Sequence, residues 1–140
     1  MHPNDTMSHR TCGIAVGRLE EYGKAVEDCT APLRIDPEYA KAYFNRGYAY
    51  GEMGEDVKEI EDYTEALRID PEDASAYFNR GYAYGEMGED GKAVEDYTEA
   101  LRIDPEDAIA HKNRGIAYGR LEEYGKAVED VTATLRIDPE

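Results

Sequence analysis

The chain of 140 residues contains no tryptophan, only two phenylalanines and only two cysteines. Two cysteines, Cys12 and Cys29, are too few for the disulfide framework of a small secreted domain. The first ten residues, MHPNDTMSHR, contain no apolar run, which predicts neither a signal peptide nor a membrane span. These absences indicate an intracellular, reducing environment, and we expect a cytoplasmic location.

Positive charge is also scarce, because 16 lysines and arginines stand against 32 aspartates and glutamates, a formal net charge of −16. Such a surface repels nucleic acids and anionic membranes and attracts cationic partners. We therefore expect no nucleic-acid partner and no membrane partner. Because the like charges repel one another, added salt is expected to raise the stability of the fold.

What the chain does contain is a repeat of 34 residues, visible in the spacing of Gly13, Gly47, Gly81 and Gly115. Residues 42–75 and 76–109 differ at only four positions, namely Val57/Gly91, Glu59/Ala93, Ile60/Val94 and Ser75/Ile109. In such an array each unit packs on its neighbours, and no single catalytic cleft is expected. We divide the chain into a tail, 1–5, and one domain, 6–140, with repeats 6–39, 40–73, 74–107 and 108–140.

The spacing of apolar residues predicts two helices in each repeat. Tyr43, Gly47 and Tyr50 form one stripe of a helix over 42–53, which Gly54 ends. A second helix over 57–69 ends before Pro71, since proline cannot continue a helix. Asp73 and Asp107 are expected to cap the helices that follow them. No strand alternation is present, so the predicted fold class is all-α.

These residues resemble the tetratricopeptide repeat family, whose pattern combines aromatic residues with small residues and a closing proline. The third repeat carries this pattern as Tyr77, Gly81, Tyr84, Ala93, Tyr97, Ala100 and Pro105. The resemblance covers about residues 6–140. It implies a right-handed α-solenoid of antiparallel helix pairs, with structural roles for Gly13, Gly47, Gly81, Gly115, Pro37, Pro71 and Pro105. It also implies a non-enzymatic scaffold without a cofactor, which binds a peptide or a partner helix in its concave groove.

Family geometry places a set of first-helix residues in that groove: Arg10, Phe44, Asn45, Tyr48, Phe78, Asn79, Tyr82, Lys112, Asn113 and Ile116. The asparagines both donate and accept hydrogen bonds, which suits the backbone of an extended peptide. For Phe44 and Phe78, packing against neighbouring units is an equal alternative to ligand contact. Some family members clamp the carboxylate of a chaperone tail, but Ile14, Ser75 and Asn79 depart from that set, so we do not expect this clamp.

Three departures from the pattern lead to further predictions. Pro32 stands where later repeats have alanine, and it predicts a kink or an early helix end near Ala31. Glu59 replaces a small alanine, and a capping box with Asp56 would keep its carboxylate at the helix start. Three arginines at a position that is often leucine in the family require partners, and we expect pairs with recurring aspartates: Arg46 with Asp62, Arg80 with Asp96 and Arg114 with Asp130.

Nothing in the sequence indicates an enzyme. The carboxylates recur with the repeat, as is typical of a solvated face, and no Ser-His-Asp set, Walker loop or GxGxxG motif is present. His9, Cys12 and Cys29 are candidates for a shared metal ion, but they are no closed set of four ligands, so we expect no metal. The two cysteines lie on the two helices of one repeat, where a disulfide is conceivable but not implied.

The last repeat predicts an exposed apolar surface on its second helix, formed by parts of Ala127, Val128, Val131 and Leu135. Exposed apolar surfaces favour association. We expect copies of the chain to pack end to end, or to form a dimer, through a terminal repeat. The alternative function is therefore a structural or self-assembly module with uncapped terminal repeats, from a longer array or an engineered protein.

Overall fold

The computed structural model describes Cys12 and residues 19–140. This part of the chain contains no strand and the following helices: α1 Leu19–Ile35, α2 Ala40–Glu52, α3 Asp56–Ile69, α4 Ala74–Glu86, α5 Asp90–Ile103, α6 Ala108–Arg120 and α7 Tyr124–Ile137. The chain divides into two compact units between Pro71 and Glu72, and we describe each by itself. The predicted all-α fold class is confirmed. Arg10 and Gly13 lie outside the described residues.

Short turns join the two helices of each pair, α2 to α3, α4 to α5 and α6 to α7. Gly54 and Gly88 occupy these turns with positive φ angles of 77° and 81°, and Glu122 takes the same place with φ 63°. A side chain is disfavoured in this left-handed region, so the predicted role of Gly54 is confirmed, and Glu122 carries some backbone strain. Pro37, Pro71 and Pro105 lie between successive pairs, where no helical amide is required.

The helices of a pair approach each other closely at a glycine. A Cβ atom on Gly47 would lie 3.0 Å from the Tyr63 ring, and one on Gly81 would lie 3.1 Å from the Asp96 Cβ. Gly115 faces Asp130 in the same way, at 3.2 Å. A methyl group at any of these three glycines would crowd the facing helix, which would have to shift by a few tenths of an ångström.

Each pair also carries a buried ion pair between its helices. Arg46 donates from Nε and Nη2 to the two carboxylate oxygens of Asp62, both at 2.8 Å. The corresponding pairs are Arg80 with Asp96 and Arg114 with Asp130. Burial raises the pKa of Asp62 and Asp96, and the hydrogen bonds from the arginines oppose this increase. The predicted pairing is confirmed, and its two-pronged geometry fixes the helices in register.

The predicted aspartate caps are confirmed, whereas the capping box is not. Asp73 accepts a hydrogen bond from the backbone amide of Ala76, and Asp107 accepts from Ile109 and Ala110. Helix α3 instead follows Glu55, whose side chain makes no capping bond. The Glu59 carboxylate is not held at the helix start, because its side chain points towards α2.

The predicted kink near Ala31 is wrong, since α1 runs without interruption from Leu19 to Ile35. Pro32 is fully buried, and its carbonyl accepts the helical hydrogen bond from the amide of Asp36 at 2.8 Å. The ring removes only one donor from the helix. Burial of its apolar surface offsets much of the cost of about 3 kcal/mol for an interior proline.

Cys12 and Cys29 form a disulfide, with sulfur atoms 2.08 Å apart and Cα atoms 4.7 Å apart. Both residues are buried beside Leu33 and Ala42. Disulfides are disfavoured in a reducing compartment, so this bond argues against the cytoplasmic location. That location remains a prediction. Within the described residues, no set of three or more His, Cys, Asp or Glu side chains is arranged for metal binding.

None of the helices between Leu19 and Ile137 combines the length and the apolar character that a membrane span requires. Helix α7 does expose apolar side chains, as the sequence predicts: Val128, Val131 and Leu135 are 63%, 52% and 57% exposed. Tyr124, one turn earlier on this face, is 63% exposed as well. We call these four residues the α7 stripe.

Candidate ligand groove

The described groove residues recur at matching positions of α2, α4 and α6. The residues with the most accessible side chains in the centre of each helix are Tyr48, Tyr82 and Ile116, at 44%, 52% and 47% exposed. The asparagines Asn45, Asn79 and Asn113 are half-buried, and Lys112 is exposed. Each of these helices therefore presents one exposed apolar or aromatic side chain next to one amide.

The two phenylalanines pack inside their own helix pairs. The Phe44 and Tyr63 ring centroids are 5.6 Å apart, and the Phe78 and Tyr97 centroids are separated by the same distance. Both phenylalanines remain half-buried, so part of each ring stays accessible. The structure thus gives both a packing role against a tyrosine of the same pair, and Phe78 also packs on a cluster that includes Ala117 of the next repeat.

Helices α4, α5 and α6 line a half-open cavity of about 150 Å³, which we call the α5 notch. Its floor consists of small residues, Gly85, Ala93 and Ala117, and predicted groove residues form part of its wall: Tyr82, Asn113 and Ile116. Tyr97 completes the wall and shares a hydrogen bond with Asn113, while burial raises the pKa of Tyr97 to about 12. The tyrosine is therefore neutral at physiological pH and available as a hydrogen-bonding group.

Charges of both signs stand at the rim of the α5 notch. Glu86 and Arg120 line it, and the Arg120 guanidinium lies 3.5 Å from Oδ1 of Asp90, whose side chain is mostly buried. The Arg120 side chain remains more than half exposed, so Glu86 and Arg120 both stand at the rim where a ligand would enter. A side chain with an apolar stem and a polar or cationic tip fits such a site.

A second depression, of about 230 Å³, lies between the first turns of α4 and the segment that leads into α6. Phe78 and Asn79 line it together with Ser75, Ile109 and two aspartates, Asp104 and Asp107. The structure therefore distributes the predicted residues of this unit over two neighbouring depressions. The sequence did not assign the notch floor or Tyr97 to the groove. The recurrence of glycine at positions 51 and 85 was a signal for the floor.

In the first unit, α2 and α3 are the counterparts of α4 and α5, and they carry a different set of groups. Tyr22 of α1 is hydrogen-bonded to Glu52 of α2, next to Tyr48. Glu59 of α3 stands where α5 has Ala93, and its carboxyl group lies over Gly51. Burial raises the pKa of Glu59 to about 7, while a hydrogen bond with Tyr63 acts in the opposite direction.

Comparison with known proteins agrees with this architecture. The family model described as tetratricopeptide repeat matches residues 74–107, and a second model of the same description matches residues 40–73. No curated protein matches the chain.

Solved structures resemble the chain over most of its length. A crystal structure of MamA protein is 27% identical with a TM-score of 0.80, covering 84% of this chain and 64% of that one. The chain thus spans less than two thirds of that relative. The MamA RS-1 ArsTM double mutant has a TM-score of 0.90 over 99% of this chain and 78% of its own, but at 17% identity it shows the fold alone.

A third structure is the first TPR of Spaghetti (RPAP3) bound to the HSP90 peptide SRMEEVD. It is 25% identical with a TM-score of 0.70, covering 75% of this chain and 83% of its own. Helix pairs with glycine contacts, a 34-residue period and two matching family models point to one conclusion. The chain belongs to the tetratricopeptide repeat family, as an all-α protein of the kind that serves as an interaction scaffold.

Proposed function

We propose that the chain is a non-enzymatic scaffold that binds an extended peptide or a partner helix through the groove residues of α2, α4 and α6. The observation that carries this proposal is the α5 notch, because it combines a floor of small residues with Tyr82, Asn113 and Ile116. A cavity of about 150 Å³ has the size of one ligand side chain. The adjacent Asn79 and Asn113 have amides suited to the backbone of the same ligand.

The charge of the chain favours a ligand with basic residues. The net charge is −16, and Glu52 and Glu86 are both exposed beside the groove tyrosines. The peptide SRMEEVD of the neighbouring structure is acidic, and we do not carry it over to this chain, whose surface charge repels it. Basic peptides are therefore the class that we expect to bind.

Selection from a random peptide display library, followed by calorimetry with purified peptides, tests this function. Tyr82→Ala and Asn113→Ala are each expected to weaken the binding of a selected basic peptide about tenfold or more. Tyr124→Ala is the control, since it removes an exposed tyrosine outside the groove. Selected peptides that are acidic, or that respond to Tyr124→Ala alone, would contradict the proposal.

A second candidate function is self-association, and the α7 stripe favours it. On α5 the residues at the same positions as the last three residues of the stripe are Val94, Tyr97 and Leu101, and Tyr97 and Leu101 are buried in their unit. Val128, Val131 and Leu135 follow the same helical spacing but remain exposed. We propose that the stripe of a second copy packs on this face, because two identical stripes are complementary under twofold symmetry.

Sedimentation equilibrium at moderate salt tests the second candidate. Val131→Glu is expected to abolish a concentration-dependent dimer, whereas Thr132→Glu, an exposed neighbour outside the stripe, leaves it intact. A double change, Tyr48→Ala with Tyr82→Ala, separates the two functions because it removes groove side chains and leaves the stripe unchanged. Loss of peptide binding with retained dimers would mean that both functions exist on separate surfaces, and a monomer at every concentration would rule out self-association.

A further inference from the structure

The second and third repeats have nearly the same sequence, yet their groove walls differ at one buried position. Ala93 is completely buried and forms part of the floor of the α5 notch. Glu59 occupies the same position of α3 and is only half-buried. The substitution places a long ionisable side chain where the neighbouring repeat has a methyl group.

The position of the Glu59 carboxyl group is fixed by a glycine on the facing helix. A Cβ atom on Gly51 would overlap this carboxyl group, with Oε1 only 2.9 Å away. At the matching Gly85, the nearest atom is the Ala93 Cβ, at 3.9 Å. The carboxyl group of Glu59 therefore fills the space over Gly51 that remains open over Gly85.

The groups that act on this carboxyl group come from both helices of the pair. Tyr63 and Asp56 belong to α3, and Glu52 belongs to α2. Glu52 also forms a hydrogen bond with Tyr22 of α1. Tyr63 forms a hydrogen bond with Glu59, whereas Asp56 and Glu52 are negative and repel a charged Glu59. Protonation thus favours the inward position, and ionisation favours escape into solvent.

We propose that Glu59 is a proton-operated plug in the groove wall formed by α2 and α3. With a neutral carboxyl group, the side chain lies over Gly51 and closes this part of the wall. When the proton is released to solvent, the carboxylate moves outwards and uncovers a floor like that of the α5 notch. This inference rests on the peptide-binding function proposed above. A ligand side chain can enter this part of the groove only after Glu59 is ionised.

Burial sets the pH range of the plug, because it raises the pKa of Glu59 from 4.5 to about 7. A carboxyl group with a raised pKa stabilises the folded state fully below its unfolded-state pKa. That contribution is lost as the pH rises through about 7. Hence the stability of the wild type relative to Glu59→Ala is expected to fall between about pH 4.5 and pH 7.

Nuclear magnetic resonance on the intact chain tests the plug without any ligand. The Glu59 side-chain carboxyl carbon and the Gly51 amide are expected to titrate together, with a midpoint above 4.5 but below about 7, because release of the ionised side chain into solvent lowers the midpoint of the buried group. The Gly85 amide is the internal control and remains insensitive to pH, since Ala93 cannot ionise. A Glu59 midpoint near 4.5, or a Gly51 amide that does not respond, would overturn the proposal.

Three variants sharpen this test. Glu59→Gln keeps a neutral group over Gly51, so the Gly51 amide should become independent of pH. Gly51→Ala places a methyl group in the same space, so the pKa of Glu59 should return to its ordinary range. Ala93→Glu installs the plug over Gly85, and the Gly85 amide should then titrate. A Gly85 amide that stays constant in the folded Ala93→Glu variant would contradict the mechanism.

A peptide selected as above then tests the effect on binding. Its affinity for the wild type should be about tenfold lower one pH unit below the magnetic-resonance midpoint than well above it, because only about a tenth of the molecules then have an open wall. Glu59→Gln should bind weakly and Glu59→Ala strongly at both pH values. If no peptide binds at all, the proposed function fails, while the magnetic-resonance titration still tests whether Glu59 moves on ionisation. Equal pH dependence in Glu59→Ala would reject the gating step alone.

Discussion

Helices α1 and α7 have almost the same sequence but opposite environments. Residues 22–35 and 124–137 differ only at Cys29/Val131 and Pro32/Thr134. Tyr22 and Leu33 of α1 are each 9% exposed, whereas their counterparts Tyr124 and Leu135 are 63% and 57% exposed. An identical amphipathic pattern is therefore compatible with a core helix and with a surface helix.

The difference comes from the neighbour that covers each helix. Tyr22 and Ala25 of α1 pack against Ala49 and Met53 of α2, which belongs to the following repeat. On α7, no helix within the described residues covers the corresponding face. The sequence of a repeat thus specifies which face of the helix is apolar, while an adjacent repeat decides whether that face is buried.

Even the local conformation of one tetrapeptide depends on context. The tetrapeptide LEEY occurs at residues 19–22 and again at residues 121–124. Residues 19–22 are helical in α1, whereas residues 121–123 form a turn and α7 begins at Tyr124, because Glu122 adopts a positive φ angle of 63° in that turn. The amide of Leu121 donates hydrogen bonds to the carbonyls of Ala117 and Tyr118. These bonds close the last turn of α6 just before α7 begins.

The largest expected contrast follows from removing matched leucines. Leu33→Ala should cost about 2–5 kcal/mol, because it leaves a cavity beside the buried Cys29 and Ala42. Leu135→Ala should cost less than about 0.5 kcal/mol, because the side chain already faces solvent. Urea unfolding followed by circular dichroism measures both changes. Equal losses would show that α7 is covered in solution, and a concentration-dependent loss would assign the cover to a second copy.

A somewhat smaller effect is expected from the disulfide, which α7 lacks because Val131 replaces Cys29. The bond joins residues separated by 17 positions, and its reduction should cost about 2–4 kcal/mol. Thermal unfolding with and without a phosphine reductant measures this cost. Cys29→Val, which gives α1 the residue of α7, should unfold at the lower temperature under both conditions. A reductant that leaves the wild-type transition unchanged would show that the bond adds no stability.

Exchange of Pro32 and Thr134 tests whether burial makes proline tolerable. Thr134→Pro should destabilise α7 by up to about 3 kcal/mol, since that helix has less packing to compensate for a lost amide. Thr134 Oγ1 also donates to the Asp130 carbonyl at 2.9 Å, a bond that proline removes. Pro32→Thr should change stability much less. Helical content and urea midpoints of both variants provide the comparison, and equal tolerance would indicate that burial is irrelevant.

The smallest expected effect concerns two hydroxyl groups. Tyr22→Phe should lower stability slightly, because it removes the hydrogen bond with Glu52. Tyr124→Phe should leave stability unchanged, since water replaces any partner at that exposed position. Chemical unfolding of the two variants under identical conditions decides this. A loss in Tyr124→Phe would reveal a contact on α7 that involves its hydroxyl group.

Much of the fold was predictable because it follows from local rules. The helix limits, the turn at Gly54 and the aspartate caps depend on residues within a few positions of one another. The pairing of Arg46 with Asp62 was predictable as well, since a half-buried guanidinium requires a carboxylate and the repeat fixes the spacing. The groove residues were assigned by resemblance, and their role in binding remains a prediction.

Other features required the packed structure. The uninterrupted course of α1 through Pro32 depends on the burial of that ring, which no local rule supplies. The location of the Glu59 carboxyl group depends on the empty space over Gly51 of another helix. The α5 notch likewise arises from small residues of three helices, and the sequence separates Gly85 from Ala117 by 32 positions.

The sequence by itself determined the period, the helices and the face of each helix that avoids water, because hydrogen bonding and amphipathic spacing act over short distances. Only the tertiary structure decided which of these faces is covered, since burial depends on a neighbour and not on the helix itself. That is why Tyr22 lies in the core while Tyr124, in the same sequence context, faces solvent. It is also why Glu59 fills a space that Ala93 leaves open.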